Sequence, residues 1–194
     1  MEQVRSFIAT ELPDELRQEL GELEARLKSA EPAGIKWVDP YGIHLTLKFL
    51  GNIAVDRIEE ITGAIAQAAE GITPFHLAVK DLGIFPNLRR PQVVWVGMSG
   101  EIDKLCQLQK QIESHLARLG FAAESRSFTP HLTLARLRNQ VSPQERQKFG
   151  HLIAGTSFEA ANAVEVDTIC LMRSQLTRAG SIYSSIGTIG LKKL

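Results

Sequence analysis

Apolar side chains recur along this chain with two spacings, one typical of helices and one typical of strands. Helical spacing predicts amphipathic helices over residues 13–30, 55–69, 102–119 and 143–151. Shorter apolar runs predict strands over 4–10, 35–38, 43–50, 75–80, 82–85, 92–98, 128–137, 164–172 and 182–186. Because several of these strands follow one another without a helical crossover, the pattern favours an α+β fold with antiparallel pairing.

Length and charge narrow the class of protein. The 194 residues fit a single domain, 1–194, and no linker or low-complexity run divides them. Lysine plus arginine equals aspartate plus glutamate at 22 each, so the formal net charge is zero. A neutral chain is a poor candidate for coating long nucleic acid, although a local basic pocket for one RNA end is still possible.

The same reading places the protein in the cytoplasm and away from membranes. No apolar run approaches the roughly 20 residues of a membrane-spanning helix. The first residues show no basic region followed by an apolar stretch, so we expect no signal peptide. Cys106 and Cys170 have no metal-ligand spacing, and we expect them to be free thiols in a reducing compartment.

One short repeat stands out, because His-Leu-Thr-Leu occurs at residues 44–47 and again at 131–134. Both copies lie in predicted strands, where side chains two residues apart share a face. His44 and Thr46 should therefore point one way, and the leucines together with Phe49 should point the other way. A single histidine on a strand is usually structural, but an identical pair of His-Thr strands is difficult to explain without chemistry.

The repeated pair suits a small anion such as a phosphate. A threonine hydroxyl can donate to a phosphate oxygen, while the neighbouring imidazole, with a pKa near 6.5, can accept or release a proton at neutral pH. Two such strands facing one phosphate would supply a general acid and a general base.

The repeat and its surroundings resemble a known family. Residues 42–51 and 128–136 resemble the two signature motifs of the two-histidine phosphoesterases, above all the bacterial and archaeal RNA 2′,3′-cyclic phosphodiesterases, also described as 2′-5′ RNA ligases. The resemblance extends to residues 7–9 and 83–96 and to Tyr183. It implies a bilobal, pseudo-twofold α+β fold in which two antiparallel sheets line a central groove, with helices on the outside.

The resemblance also implies an activity and a set of site residues. It implies metal-independent, cofactor-free hydrolysis of RNA 2′,3′-cyclic phosphate ends to 2′-phosphomonoesters by a monomer, with 2′-5′ ligation as a minor reaction. His44 would protonate the leaving 3′ oxygen, and His131 would activate water. Thr46, Thr133 and Arg136 would bind the phosphate. The partners would be RNA ends or nucleotides that carry a cyclic phosphate.

Strand alternation does not settle the direction in which two basic residues beside the motifs point. Arg136 lies five residues after His131, so it shares the histidine's face only if the strand ends or bulges near Ala135, or if the side chain reaches round the edge. Lys48 lies four residues after His44, so alternation places it on the same face as the histidine. A solvated lysine at the rim of the groove is equally consistent with this spacing.

Two other functions remain open on the sequence alone. A non-catalytic RNA or nucleotide binder would keep the groove but lose turnover, and the two intact His-Thr pairs argue against it. A zinc-dependent hydrolase would need a third ligand beside His44 and His131, and no histidine or carboxylate spacing supplies one.

Overall fold

The computed structural model describes residues 2–30, 32–178 and 180–192, and this part contains two antiparallel sheets and four α-helices. The strands are β1 (Gln3–Thr10), β2 (Ile35–Trp37), β3 (Leu45–Ala54), β4 (Phe75–Phe85), β5 (Val93–Gly100), β6 (His131–Leu137), β7 (Val164–Val166), β8 (Thr168–Leu176) and β9 (Ser181–Gly190). The helices are α1 (Asp14–Lys28), α2 (Ile58–Ala68), α3 (Ile102–Arg118) and α4 (Pro143–Ala154). The α+β prediction with antiparallel pairing is confirmed.

The sheet topology places the two motifs on different sheets that adjoin. The first sheet has the order β3-β1-β8-β9, and the second has the order β2-β6-β5-β4-β7. His44 immediately precedes β3, and His131 begins β6. β3 also contacts β6, so the two sheets adjoin at the strand that follows His44 and the strand that begins with His131.

The helices cover one face of the sheets and leave the other for the site. Each helix buries an apolar stripe, such as Leu16, Leu20 and Leu27 of α1, in a core shared with both sheets. On the opposite side of the first sheet, Phe7 belongs to a separate small cluster that packs against Tyr183. We call the face of each sheet turned away from the helices its open face.

The structure divides one predicted strand and joins two others. Residues 164–172 were expected to form one strand, but β7 pairs in the second sheet and β8 pairs in the first, so the chain crosses between sheets at Asp167. Both strands bury apolar side chains, and the sequence pattern therefore runs through the crossing without a break. Conversely, 75–80 and 82–85 are one strand, because Asp81 (φ 63°) forms an irregularity that leaves the pairing with β5 intact on both sides. None of the helices in the described ranges is long and apolar enough to cross a bilayer.

Candidate active site

His44 lies in an aromatic recess on the open face of the first sheet. Its ring stacks on Phe7, with 4.5 Å between ring centroids, and meets the edge of Tyr183 at 4.9 Å. Its Nδ1 donates a hydrogen bond to the carbonyl oxygen of Gly42 at 2.8 Å. Phe7 belongs to β1 and Tyr183 to β9, so two strands distant in sequence orient this imidazole.

His131 has a corresponding environment on the second sheet. Phe85 meets its ring edge-on at 5.1 Å between centroids, and Trp95 lies at 6.1 Å. Its Nδ1 donates to the carbonyl oxygen of Thr129 at 2.6 Å. The Trp95 ring lies directly over Gly83, where a Cβ would come within 2.1 Å of a ring carbon. Only a residue without a side chain allows the tryptophan ring to occupy this place, inclined at 60° to the imidazole of His131.

Both imidazoles are therefore oriented in the same way, by a hydrogen bond to the backbone carbonyl two residues earlier in the chain. A carbonyl oxygen can only accept, so Nδ1 carries the proton in both rings. In each ring Nε2 is then the nitrogen that remains for the substrate. This nitrogen can accept a proton when the imidazole is neutral and can donate one when the imidazole is charged.

Burial changes the acid–base behaviour of His44. Removal from water beneath the two aromatic rings disfavours the charged imidazolium, and it lowers the pKa of His44 to about 4. The Gly42 hydrogen bond opposes this shift, and the positive charge of Arg17 on α1 adds to it. In the free protein His44 is therefore neutral at physiological pH, with Nε2 as an acceptor.

The two threonines lie on the open faces beside their histidines, as strand alternation predicts. Thr46 pairs with Ala9 of β1, and Thr133 pairs with Trp95 of β5. Both are partly exposed, whereas the leucines on either side of each are buried. Each sheet thus presents one imidazole and one hydroxyl together.

A β-bulge brings Arg136 to the same face as His131. Val94 pairs with Ala135 and Trp95 with Thr133, so Leu134 has no partner of its own in β5. Leu134 and Ala135 both point into the core, and the alternation resumes with Arg136 exposed on the open face. Of the explanations that the sequence left open, the bulge is the one that the structure contains.

A bulge in β3 overturns the expectations for Lys48 and Phe49. Ile8 pairs with Lys48 and Ala9 with Thr46, so Leu47 is unpaired and the alternation reverses after it. Lys48 is buried, not a rim lysine, and Phe49 is 62% exposed, not part of the core. The Phe49 ring lies 6.1 Å from that of Phe7, on the side of His44.

The buried Lys48 is neutralised on the helix side of the sheet. Its Nζ donates to Oε2 of Glu113 in α3 at 2.7 Å and to the carbonyl oxygen of Ala122 at 2.8 Å. This pair ties the bulged segment of β3, which directly follows the first motif, to a helix on the opposite side.

The aromatic residues of the two sheets divide between the site and the helix side. Trp95 and Tyr183 flank the histidines, whereas Trp37 packs edge-on against Phe149 on the helix side. Phe7 and Phe85 were missed as neighbours of the histidines. The available signal was their place within the segments that resemble the family. Over residues 2–30, 32–178 and 180–192, no three His, Cys, Asp or Glu side chains lie close enough together to hold a metal ion.

Comparisons with known proteins show what this chain is similar to. The sequence profile of the LigT-like phosphoesterase family matches residues 11–95, which contain His44, and matches again over residues 96–183, which contain His131. A protein of Methanothermobacter thermautotrophicus named RNA 2′,3′-cyclic phosphodiesterase is 33% identical over 183 residues, covering 94% of this chain and 96% of its own. A protein of the same name from Thermotoga maritima is 31% identical, with coverage of 93% and 91%.

Solved structures extend the similarity to the fold. The crystal structure of E. coli LigT in complex with 3′-AMP superposes with a TM-score of 0.79 at 26% identity, covering 99% of this chain and all of the other (100%). Two antiparallel sheets that each present a His-Thr segment define a phosphoesterase of the two-histidine class. The chain belongs to the LigT-like phosphoesterase family, and the resemblance noted in its motifs is confirmed.

Proposed function

We propose that this protein hydrolyses RNA 2′,3′-cyclic phosphate ends to 2′-phosphomonoesters, using two histidines and no metal. The observation that carries the proposal is the matched pair of imidazoles. His44 and His131 each donate Nδ1–H to a backbone carbonyl and leave Nε2 for the substrate. The names of the relatives point to the same substrate.

The reaction needs one proton acceptor and one proton donor on opposite sides of the phosphorus. Nε2 of one neutral histidine takes a proton from water as the water oxygen attacks phosphorus. The bond from phosphorus to the ribose 3′ oxygen breaks, and the second histidine, charged beforehand, gives its Nε2 proton to that oxygen. The product carries a 2′-phosphate and a free 3′-hydroxyl, and each such proton transfer typically contributes about 10²- to 10⁴-fold.

The roles follow the family expectation, with His44 as the acid and His131 as the base. This assignment requires the pKa of His44 to rise from about 4 when the anionic substrate binds. A phosphate charge beside Nε2 favours the imidazolium and acts in that direction. The substrate itself would then charge the acid.

The other residues on the open faces suit the remaining parts of a nucleotide. The hydroxyls of Thr46 and Thr133 and the guanidinium of Arg136 would bind the non-bridging oxygens, where negative charge increases in the transition state. The exposed Phe49 ring offers a stacking surface for the base.

If a 5′-hydroxyl of a second RNA replaces water, the same step forms a 2′-5′ bond, and this is the basis for a minor ligase activity. We expect the enzyme to act as a monomer in the cytoplasm.

A substrate panel with product identification tests the proposal. The panel contains 2′,3′-cyclic mononucleotides, RNA with a cyclic phosphate end and 2′-5′-linked RNA, each with and without exhaustive chelation. We expect 2′-phosphate products whose rate is unaffected by the chelator. Loss of activity on chelation would support a zinc hydrolase, and tight binding without turnover would support a binding protein.

Variants then test the two histidines. His44→Ala and His131→Ala should each lower turnover by about 10²- to 10⁴-fold, and the threonine variants by about 10- to 10³-fold. His76→Ala is a matched control, because His76 lies on β4 with its side chain 63% exposed. Near-full activity in either folded motif variant would contradict the mechanism.

A further inference from the structure

Two cations face each other across the outer strands of the second sheet. Lys36 of β2 pairs directly with Arg136 of β6. The adjacent pair, Trp37 and Ala135, points toward the helices, because Ala135 is fully buried and Trp37 packs against Phe149. Alternation therefore places Lys36 and Arg136 together on the open face, where both are exposed.

Within residues 2–30, 32–178 and 180–192, neither Lys36 nor Arg136 forms an ion pair. Like charges directly opposite each other across a sheet are destabilising. Among the residues that the structure describes, no carboxylate lies within 4.0 Å of either cation, whereas Lys48 and Lys28 each have one. β2 is the edge strand of its sheet, so Lys36 is not covered by a further strand. Two unneutralised cations at an open edge fit an anion supplied from outside.

The position of Lys36 and Arg136 relative to the proposed catalytic residues indicates which anion would bind to them. At about 3.3 Å per residue, Arg136 lies roughly 10 Å along β6 from Thr133. Lys36 lies one strand further out, about 5.5 Å across from Arg136 between Cα atoms. Arg136 is thus between the scissile phosphate and Lys36, and the long lysine side chain reaches the next position along a nucleotide chain.

We propose that Lys36, beside Arg136, forms a second phosphate subsite. It binds the phosphodiester on the 5′ side of the terminal nucleotide, so the enzyme favours an RNA end over a free cyclic mononucleotide. This inference rests on the proposed phosphodiesterase function. A purely protective lysine, which keeps an edge strand from pairing with another chain, is the alternative that the experiment must exclude.

Steady-state kinetics on two substrates test the subsite. One is adenosine 2′,3′-cyclic phosphate, and the other is the dinucleotide ApA with a 2′,3′-cyclic phosphate end. We expect wild type to favour the dinucleotide, and Lys36→Gln to lower kcat/KM for it by about 3- to 10-fold at 50 mM salt, with a much smaller effect on the mononucleotide. Lys36→Arg should restore the preference, and Lys36→Gln should reduce the salt dependence by about one phosphate contact. Lys110→Gln, an exposed lysine on α3, is the matched control.

Other outcomes would overturn the subsite. The proposal fails if Lys36→Gln lowers kcat/KM equally on both substrates or leaves the dinucleotide unaffected. It also fails if wild type shows no preference for the dinucleotide, or if the only effect of Lys36→Gln is self-association. If wild type turned over neither substrate, the proposed function would fail, and binding would still test the subsite. In that case, the 2′-phosphate forms of ApA and adenosine replace the cyclic substrates in calorimetry, and Lys36→Gln must weaken only the dinucleotide.

Discussion

Phe49 and Arg136 occupy corresponding positions in the two halves of the site. Each lies five residues after its motif histidine, and each reaches the open face because the second leucine of its motif is bulged out of register. The repeat therefore includes a duplicated backbone irregularity as well as four duplicated letters. At the equivalent place, one half presents an exposed aromatic ring and the other presents a guanidinium. Under the proposed function, this difference would place the base of a nucleotide at Phe49 and a phosphate at Arg136.

Removal of the Phe49 ring should weaken recognition of the base. We expect Phe49→Ala to lower kcat/KM for a cyclic nucleotide by about 10-fold, because stacking on an aromatic ring is worth about 1–3 kcal/mol per base. Hydrolysis of ribose 2′,3′-cyclic phosphate, which lacks the base, should change little. Tyr41→Ala controls for loss of an exposed aromatic side chain near the first motif, since Tyr41 is 74% exposed. An equal loss with and without the base would contradict a stacking role.

The lowered pKa of His44 should be visible in stability. The folded pKa of about 4 lies below the unfolded value of about 6.5, so the unfolded chain binds more protons between these values. The stabilisation is complete above pH 6.5 and is lost as the pH falls toward 4, by roughly 3 kcal/mol at most. Denaturant unfolding at pH 7 and pH 4.5 measures the difference. We expect His44→Gln to show a smaller decrease than wild type, whereas His76→Gln should behave like wild type.

The roles of the two histidines can be separated with a leaving group that needs no proton. If His44 is the acid, a 2′-linked ester of a low-pKa phenol should partly rescue His44→Ala and should not rescue His131→Ala. Addition of a 2′-nucleotide should also raise the pKa of His44, measured by NMR of the imidazole, because the phosphate charge favours the imidazolium. Rescue of His131→Ala instead, with the pKa of His44 still near 4 in the complex, would reverse the assignment.

The position of the Trp95 ring near His131 depends on Gly83, a residue without a side chain. In Gly83→Ala, the new methyl group would overlap the Trp95 ring, so the ring must tilt and lose its packing beside His131. We expect turnover to fall by about 10-fold or more and the protein to be destabilised by about 1–3 kcal/mol. Gly63→Ala is the control, because this glycine lies inside α2 with no atom within 4 Å of the added Cβ, and alanine there should stabilise the helix slightly. Unchanged kinetics in Gly83→Ala would show that Trp95 does not position His131.

The buried Lys48–Glu113 pair should contribute strongly to the stability of the first half of the site. Glu113→Leu leaves the buried Lys48 charge without its counter-ion, and we expect it to cost about 3–5 kcal/mol in the free energy of unfolding. Lys48→Met leaves the less buried Glu113 unpaired and should cost less. The double variant Lys48→Met with Glu113→Leu should recover much of that loss. Denaturant unfolding of all four proteins gives the coupling energy. Additive single losses would show that the pair is not coupled.

Much of the site could be read from the letters of the chain. Alternation alone predicted that His44 and Thr46 share a face and that the flanking leucines enter the core, because the two-residue period of a strand is a local property. The repeat predicted a second such strand, and helical spacing predicted α1 to α4. Each of these follows from interactions among residues close together in sequence.

The arrangement around those residues required the tertiary structure. A bulge exists only relative to a partner strand, so neither the exposure of Phe49 nor the orientation of Arg136 is present in the spacing of its own strand. Lys48 can be buried because Glu113 and the Ala122 carbonyl, which are distant in sequence, accept hydrogen bonds from its ammonium group. The pattern of its own strand shows only a charged residue. The lowered pKa of His44 likewise comes from its burial against Phe7 and Tyr183, which contact it only after the four strands of the first sheet have paired. Pairing and burial depend on residues far apart in the chain, and a local pattern cannot contain them.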